Sequence, residues 1–220
     1  MNTINDVIKK YNLGIDPVAM KKDFEFLLPK IEEIGWWGAK GATHQFQIAI
    51  QARENSPDPY HECCGPQPNL NKNDDSNPLT EGSFNQVNDL FKGSEFERLI
   101  SLFPIEITRT RILKLRNKSA YRLHRDMTYK FHIPIVTTPS NLFIFPEQQH
   151  RHIIHLPADG TVYFTDTSVC HTFMNGGITD RYHVVLSSTL DREILLDGFP
   201  EELDFTREHY PSLDKDGEWI

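Results

Sequence analysis

The pattern of hydrophobic and polar positions divides the chain into two parts of different character. In the first part, the segment DPVAMKKDFEFLLPKIEEIG has apolar residues three and four positions apart, which is typical of an amphipathic helix. Asp16 is suited to cap this helix, and Pro17 is suited to its first position. We therefore expect residues 1–34 to be mostly helical. The alternating segment QFQIAIQA, Gln45–Ala52, predicts a half-buried strand after them.

From Ile105 onward the chain consists of short segments rich in β-branched and aromatic residues. These segments are IEITRTRILKL, YKFHIPIVTT, NLFIF, GTVYFTDTS, HTFMN and RYHVVLSST. Turns containing Pro, Asn, Gly or Asp separate them at close spacing, which is typical of an antiparallel sandwich or barrel. The sequence therefore predicts a mainly β fold with flanking helices.

The 220 residues contain no Gly/Ser-rich linker, which favours a single domain. We expect this domain, residues 1–220, to comprise a helical and loop N-terminal part at 1–104, a β core at 105–190 and a C-terminal tail at 191–220. Within the N-terminal part, FNQVNDLFKGSEFERLISLF predicts a short helix that ends before Pro104. Residues 55–82 are rich in Pro, Asn and Asp and show no periodicity. A loop of this length is either disordered or a functional lid.

Composition and charge exclude several classes of function. The chain has 23 basic and 31 acidic residues and a net charge of −8, which argues against a general nucleic-acid-binding protein. No apolar run approaches the roughly 18 residues that a membrane-spanning helix needs, and the N-terminal segment lacks the zones of a signal peptide. Three cysteines are too few for a disulfide framework. We expect a cytoplasmic protein without a membrane or nucleic-acid partner, and leave the oligomeric state open.

Candidate chemistry begins with His124 and Asp126 in the stretch YRLHRDMTYKFHIPI. Residues i and i+2 of a strand project from the same face, so an imidazole nitrogen and a carboxylate oxygen would point the same way. This pair is a weak signal by itself, because about 0.7 such pairs are expected by chance in this composition. His171, at the head of a later predicted strand, adds a third metal-ligand type.

Two histidines and one carboxylate are the facial triad of non-haem Fe(II) oxygenases, which leaves coordination positions open for substrates. Arg181 follows at the start of RYHVV, which places Arg181 and His183 on one face and Tyr182 and Val184 on the other. An inward-facing arginine near the metal is suited to the far carboxylate of 2-oxoglutarate, because its planar guanidinium binds carboxylates with two hydrogen bonds.

Together, YRLHRDMTYKFHIPI, His171 with Asn175, and RYHVVLSS resemble the aspartyl/asparaginyl β-hydroxylase family, which includes the bacterial proline hydroxylases. The resemblance covers roughly residues 105–190. It implies a double-stranded β-helix (jelly-roll, cupin-like) core that uses Fe(II), 2-oxoglutarate and dioxygen, with ascorbate as a possible stimulant. By motif position, His124, Asp126 and His171 match the iron ligands. Arg181 matches the co-substrate carboxylate partner, and His132 matches a histidine that also holds 2-oxoglutarate.

The implied reaction hydroxylates a C–H bond of an amino acid or peptidyl residue and converts 2-oxoglutarate to succinate and CO2. Two positions depart from the family pattern. The animal β-hydroxylases carry glycine in place of Asp126, so this chain is nearer to the amino-acid hydroxylases with a full triad. The same enzymes usually carry arginine at the position of Lys130. Lysine keeps the positive charge but lacks the planar fork of donors that arginine has. The substrate is not readable from the sequence.

Two other functions stay open at this stage. A cupin-type metalloenzyme that does not use 2-oxoglutarate would account for the histidines but would give Arg181 no role. A non-catalytic β-sandwich binding module would use the same core without chemistry, and an intact triad with Arg181 argues against it.

Other polar segments receive structural interpretations. The stretch RTRILKLRNKSAYRLHR, residues 109–125, holds seven basic residues, and we interpret it as a solvated strand edge and turn. Arg109 and Arg111 share a face there and are candidates to reach into the barrel mouth. We expect HRHIIH, residues 150–155, to be a surface loop. Asn175 and Thr165 are candidates to orient the metal ligands.

Overall fold

The segments after Ile105 form two antiparallel sheets that pack face to face. The protein is represented by a computed structural model, which describes residues 4, 7–38, 43–65, 79–147, 152–190, 196–197, 199–206 and 209. In chain order the strands are β1 (Ile8–Tyr11), β2 (Gln45–Ala49), β3 (Gln51–Ala52), β4 (Gln86–Val87), β5 (Thr108–Leu115), β6 (Ser119–Ala120), β7 (Lys130–Val136), β8 (Asn141–Phe145), β9 (His152–His155), β10 (Val162–Thr165), β11 (Thr172–Asn175) and β12 (Arg181–Ser187).

The strand order is that of a double-stranded β-helix. The six-stranded sheet has the order β1-β10-β7-β12-β5-β2, and the four-stranded sheet has the order β6-β11-β8-β9. From β5 to β12 the chain passes back and forth between the two sheets, so that the last strand lies between the first and the third, as in a jelly roll. The mainly β fold class with a double-stranded β-helix core is therefore confirmed.

Two helices flank this core. Helix α1 (Pro17–Ile34) begins at Asp16, whose side chain accepts hydrogen bonds from the next two free backbone N–H groups at 2.9 and 3.1 Å. Its buried face contacts the outer side of the six-stranded sheet, where the ring centroid of Phe24 lies 4.7 Å from that of Tyr182. Helix α2 (Glu95–Ser101) begins at Ser94 and packs against α1. The inner side of the sheet is thus left to face the cavity and the smaller sheet.

Several local predictions are corrected. Residues 1–34 are helical over Pro17–Ile34, which is most of the segment as predicted, but Ile8–Tyr11 forms an edge strand paired with β10 that the prediction lacked. The segment at 84–103 is helical only in Glu95–Ser101, since a short strand and a 3-10 turn precede it. The strand prediction at Gln45–Ala52 is confirmed as β2 and β3. Residues 66–78 of the predicted loop at 55–82 and most of the tail at 191–220 lie outside the described residues.

In the part of the chain that the structure describes, the helices lack the length and apolar character that a bilayer span requires.

Candidate active site

The structure brings His124, Asp126 and His171 together at one end of the β core. Their ligand atoms all lie within 4.8 Å of one another. His124 and His171 exchange backbone hydrogen bonds of 3.1 and 3.0 Å as an isolated bridge, and the backbone N–H of Asp126 donates to Thr167 at 2.7 Å. The prediction that His124 and Asp126 share a regular strand is wrong. A single bridge and one loop hydrogen bond place them instead.

Both histidines have their ring orientation and proton position determined by the backbone. Nδ1 of His124 lies 2.7 Å from the carbonyl oxygen of Arg122, and Nδ1 of His171 lies 2.8 Å from that of Val169. A carbonyl oxygen only accepts, so each Nδ1 carries the proton and donates it. Each Nε2 atom therefore carries a lone pair that is available to a metal, which is the arrangement that metal-binding imidazoles show. Burial lowers the pKa of His171, which favours the neutral form that a metal needs.

This triad opens into a cavity of about 890 Å³. Arg181 lines the cavity from the start of β12 and is only 1% exposed. Its guanidinium carbon lies 3.7 Å from the ring centroid of Phe173. Among the described residues, its Nε and Nη1 have no hydrogen-bond partner. Burial lowers the pKa of Arg181 to about 10, so the group is still charged at neutral pH.

The alternation predicted for RYHVV is confirmed. Arg181 and His183 are buried on the inner face, whereas Tyr182 lies on the outer face against α1. His132 also lines the cavity, and its ring lies beside the stacked rings of Phe143 and Phe173 at centroid distances of 5.5 and 6.4 Å. Burial and the charge of Arg181 hold the pKa of His132 well below its usual range. The imidazole is therefore neutral and offers hydrogen bonds without adding charge.

The interpretation of residues 109–125 as a solvated strand edge is wrong for Arg109 and Arg111, which are 6% and 5% exposed. Strand β5 lies between β12 and β2, so it is not an edge strand. Both arginines line the cavity, as their shared face allowed. Without the strand order, the sequence has no means of distinguishing a buried basic strand from an exposed one.

Arg109 belongs to a buried ionic cluster that the sequence does not reveal. Its Nη1 donates to Oε1 of Glu81 at 2.5 Å, and Nζ of Lys130 lies 3.1 Å from the same oxygen. Lys130 also donates to the hydroxyl of Ser187 at 2.9 Å and contacts that of Thr128. These contacts make Lys130 part of the ionic cluster around Glu81. Glu81 lies in the aperiodic 55–82 segment, where no pattern marks it.

The cationic partners of Glu81 outweigh its burial and lower its pKa to about 2. Arg109 also donates to the carbonyl oxygens of Cys63 and Gly65 at 2.9 and 2.5 Å. It has a positive φ of 52°, and the register of β5 against β12 shifts beside it, which is a β-bulge. The bulge re-aims Arg109 so that one side chain ties residues 63–65 to Glu81.

The two residues expected to orient metal ligands do not contact them. Asn175 donates to the carbonyl oxygens of Leu115 and Thr179 at 3.0 and 2.9 Å, and its own oxygen accepts from Gly177. It therefore holds the turn that leads into Arg181. Thr165 donates to the carbonyl of Lys130 at 3.0 Å. The hydrogen bonds that orient the two histidines come from backbone carbonyls, which no side-chain pattern reports.

The expectation of a surface loop at 150–155 is also wrong. Residues His152–His155 form strand β9 paired with β8, and His155 is buried with Nδ1 3.1 Å from the carbonyl of Asn141. Its ring therefore links strand β9 to strand β8. Residues 150 and 151 lie outside the described residues.

Comparison with known proteins finds likeness only in structure. No family model and no curated protein matches the sequence. A prolyl-4-hydroxylase from Pseudomonas putida is similar over 82% of this chain and 91% of its own, at 10% identity and a TM-score of 0.49. HygX from Streptomyces hygroscopicus, solved with nickel, 2-oxoglutarate and hygromycin B, covers 84% of each chain at 9% identity and a TM-score of 0.43.

A third structure is an oxidoreductase of the 2OG-Fe(II) oxygenase family from Burkholderia pseudomallei. It covers 73% of this chain and 77% of its own, at 16% identity and a TM-score of 0.40. All three TM-scores lie below 0.5, so the likeness decides nothing about the reaction, which has to be argued from the site.

Proposed function

We propose that this protein is an Fe(II)- and 2-oxoglutarate-dependent dioxygenase that hydroxylates a C–H bond of an amino acid or a peptidyl residue. One observation carries the proposal. A set of two histidines and one carboxylate opens into the same cavity as Arg181, a buried guanidinium with two unpartnered nitrogens among the described residues. Such a donor set suits Fe(II) with open coordination positions, and a buried unpaired cation suits an anionic ligand.

The residues present fit both groups. His124 and His171 would hold the metal through Nε2, since their Nδ1 atoms already donate to backbone carbonyls, and Asp126 would supply one carboxylate oxygen. Arg181 would bind the far carboxylate of 2-oxoglutarate with two charge-assisted hydrogen bonds, and neutral His132 would donate one further hydrogen bond. When bound, these groups would supply the chemistry by which dioxygen is reduced: one oxygen atom enters the C–H bond as a hydroxyl group, and the other enters succinate as 2-oxoglutarate loses CO2.

The contribution of the chain itself is positioning and exclusion of water. Phe143 and Phe173 form apolar walls beside His132 and Arg181, and such walls strengthen the charge interactions inside the cavity. As part of this proposal, the motifs around His124, His171 and Arg181 support a relationship to the aspartyl/asparaginyl β-hydroxylase family, near the amino-acid hydroxylases. We also propose a reducing, cytoplasmic location, because three cysteines are too few for a disulfide framework.

The experiment is aerobic incubation of the protein with Fe(II), ascorbate and 2-oxoglutarate, with succinate as the readout. The wild type should form succinate slowly without a primary substrate, and Asp126→Ala should not. Metal binding without any effect of 2-oxoglutarate on thermal stability would instead favour a cupin-type metalloenzyme. Neither response would favour a non-catalytic binding module.

A further inference from the structure

Besides Arg181 and the ion-paired Arg109, the cavity is lined by a buried arginine that the proposed chemistry does not use. Arg111 is 5% exposed and lines the same cavity as the metal ligands. Its Nη1 donates to Oε1 of Gln47 at 2.9 Å, while its Nε has no hydrogen-bond partner among the described residues. A buried donor without a partner costs free energy, more so when it is charged. A ligand in the cavity would remove this cost.

Arg111 and Arg181 stand in different rows of the inner sheet face. Strand pairing places Arg111 opposite Val185 and, one strand further, His132, whereas Arg181 pairs with Leu115. Four residues along a strand separate the two positions, which is about 13 Å between Cα atoms. Arg181 lies against Phe173, and Arg111 lies on the side of Gln47. Two separate anchors on one cavity are suited to two separate anionic groups.

The charges that face the cavity leave an excess of positive charge on this side. Arg109 and Lys130 share one carboxylate, Glu81, and Arg111 makes no salt bridge within the described residues. Burial raises the pKa of Tyr121 and lowers that of His132. The positive charges of Arg181 and Arg111 oppose the first shift and add to the second, so the field of Arg111 reaches into the cavity. The dianion expected at Arg181 does not neutralise the Arg111 side.

From this geometry we infer that Arg111 is the subsite for a carboxylate of the primary substrate, so that the substrate presents an acid group to the cavity as well as the C–H bond to be oxidised. This inference rests on the proposed function for the reaction, but the anion subsite itself does not. It assigns Arg111 to substrate recognition and separates it from the co-substrate arginine, Arg181.

The test compares each member of a panel of free amino acids with its carboxamide, which has the same side chain and no α-carboxylate. The first readout is the shift in unfolding temperature under anaerobic conditions with Fe(II) and 2-oxoglutarate present. The second is stimulated succinate formation in air. The variants are Arg111→Gln and Arg111→Lys, with Arg98→Gln as a control that removes one positive charge on α2, outside the cavity lining.

In the wild type and in Arg98→Gln, an acid should raise the unfolding temperature and its amide should not. In Arg111→Gln the concentration of acid needed for half the effect should rise about 10- to 100-fold, as for the loss of a charge-assisted hydrogen bond. Arg111→Lys should recover part of the lost affinity for the acid. Slow succinate formation without a substrate should stay within about twofold of the wild type in Arg98→Gln, and the rise in unfolding temperature caused by 2-oxoglutarate alone should persist in Arg111→Gln, which shows that the co-substrate site is intact.

Equal responses to acid and amide, or no Arg111-dependent response across the panel, would overturn the inference while leaving the proposed function standing. A rise in the 2-oxoglutarate requirement of Arg111→Gln would also overturn it, because Arg111 would then hold the co-substrate. An acid-specific, Arg111-dependent shift in a protein that forms no succinate would support the subsite and reject the proposed reaction.

Discussion

The guanidinium carbon of Arg181 lies 3.7 Å above the centre of the Phe173 ring, in the interior of the β core. This contact orients the arginine through its flat face and leaves donor edges directed to the cavity. The structure thus contains a buried charge that is packed but not neutralised. Packing of this kind favours binding of an anion over stability of the empty protein.

Replacing Arg181 by methionine should separate these two effects. Without co-substrate, Arg181→Met is expected to unfold at an equal or higher temperature, because a buried guanidinium with two nitrogens unpartnered among the described residues is replaced by an apolar chain. With anaerobic Fe(II) and saturating 2-oxoglutarate, the wild type should gain stability and the variant should gain little. Thermal unfolding with and without 2-oxoglutarate measures both, and a clear loss of stability in the empty variant would contradict the assignment.

Replacing Asp126 by alanine should abolish metal binding without unfolding the protein. Its side chain is about one-third exposed, and the hydrogen bond that holds the loop comes from its backbone N–H, which alanine keeps. Metal content after loading with Fe(II) under argon and the unfolding temperature are the measurements. Asp89→Ala, at an exposed aspartate on the surface, is the matched control. Metal retained at wild-type affinity by Asp126→Ala would remove this residue from the ligand set.

Replacing Glu81 by glutamine should destabilise the protein by about 3–5 kcal/mol, because Arg109 and Lys130 lose their shared buried counter-charge. Urea unfolding measures the difference. Glu25→Gln, at an exposed helical ion pair, should change stability by less than about 0.5 kcal/mol. Adding Lys130→Met to Glu81→Gln should recover part of the loss, and additive effects of the two changes would contradict a coupled cluster.

The same cluster predicts a dependence of stability on pH. The folded-state pKa of Glu81, about 2, is below its ordinary value of 4.5. The unfolded chain therefore takes up a proton first as the pH falls, so the contribution of Glu81 is complete above about pH 4.5 and is lost between 4.5 and 2. Urea unfolding of the wild type and Glu81→Gln at several pH values measures this. Their difference should shrink as the pH falls through this window, and a constant difference would reject the ionic explanation.

Replacing Asn175 by alanine tests the turn that leads into Arg181. The fully buried amide makes hydrogen bonds to Leu115, Thr179 and Gly177, so its loss should cost about 2–3 kcal/mol. The 2-oxoglutarate requirement should rise because Arg181 is displaced, while Fe(II) affinity should not change. Weaker metal binding at an unchanged 2-oxoglutarate requirement would restore the earlier expectation that Asn175 orients metal ligands.

The sequence by itself determined the elements that depend on local pattern. The cap and period of α1, most core strands, and the inward face shared by Arg181 and His183 follow from the spacing of apolar residues and from the two-residue repeat of a strand. His124, Asp126 and His171, which motif order predicts as iron ligands, have their ligand atoms within 4.8 Å of one another, and their role as ligands stays a prediction.

Only the tertiary structure decided which polar residues are buried. The segment that contains Arg109 and Arg111 has the basic composition of an exposed strand. Both side chains are nevertheless buried, because β5 is a central strand between β2 and β12. Glu81 reaches their cluster from a segment without periodicity, and backbone carbonyls orient the metal ligands. Contacts between residues distant in the chain depend on strand order and register. No local pattern encodes these, so charge partners and unpartnered donors become visible only after folding.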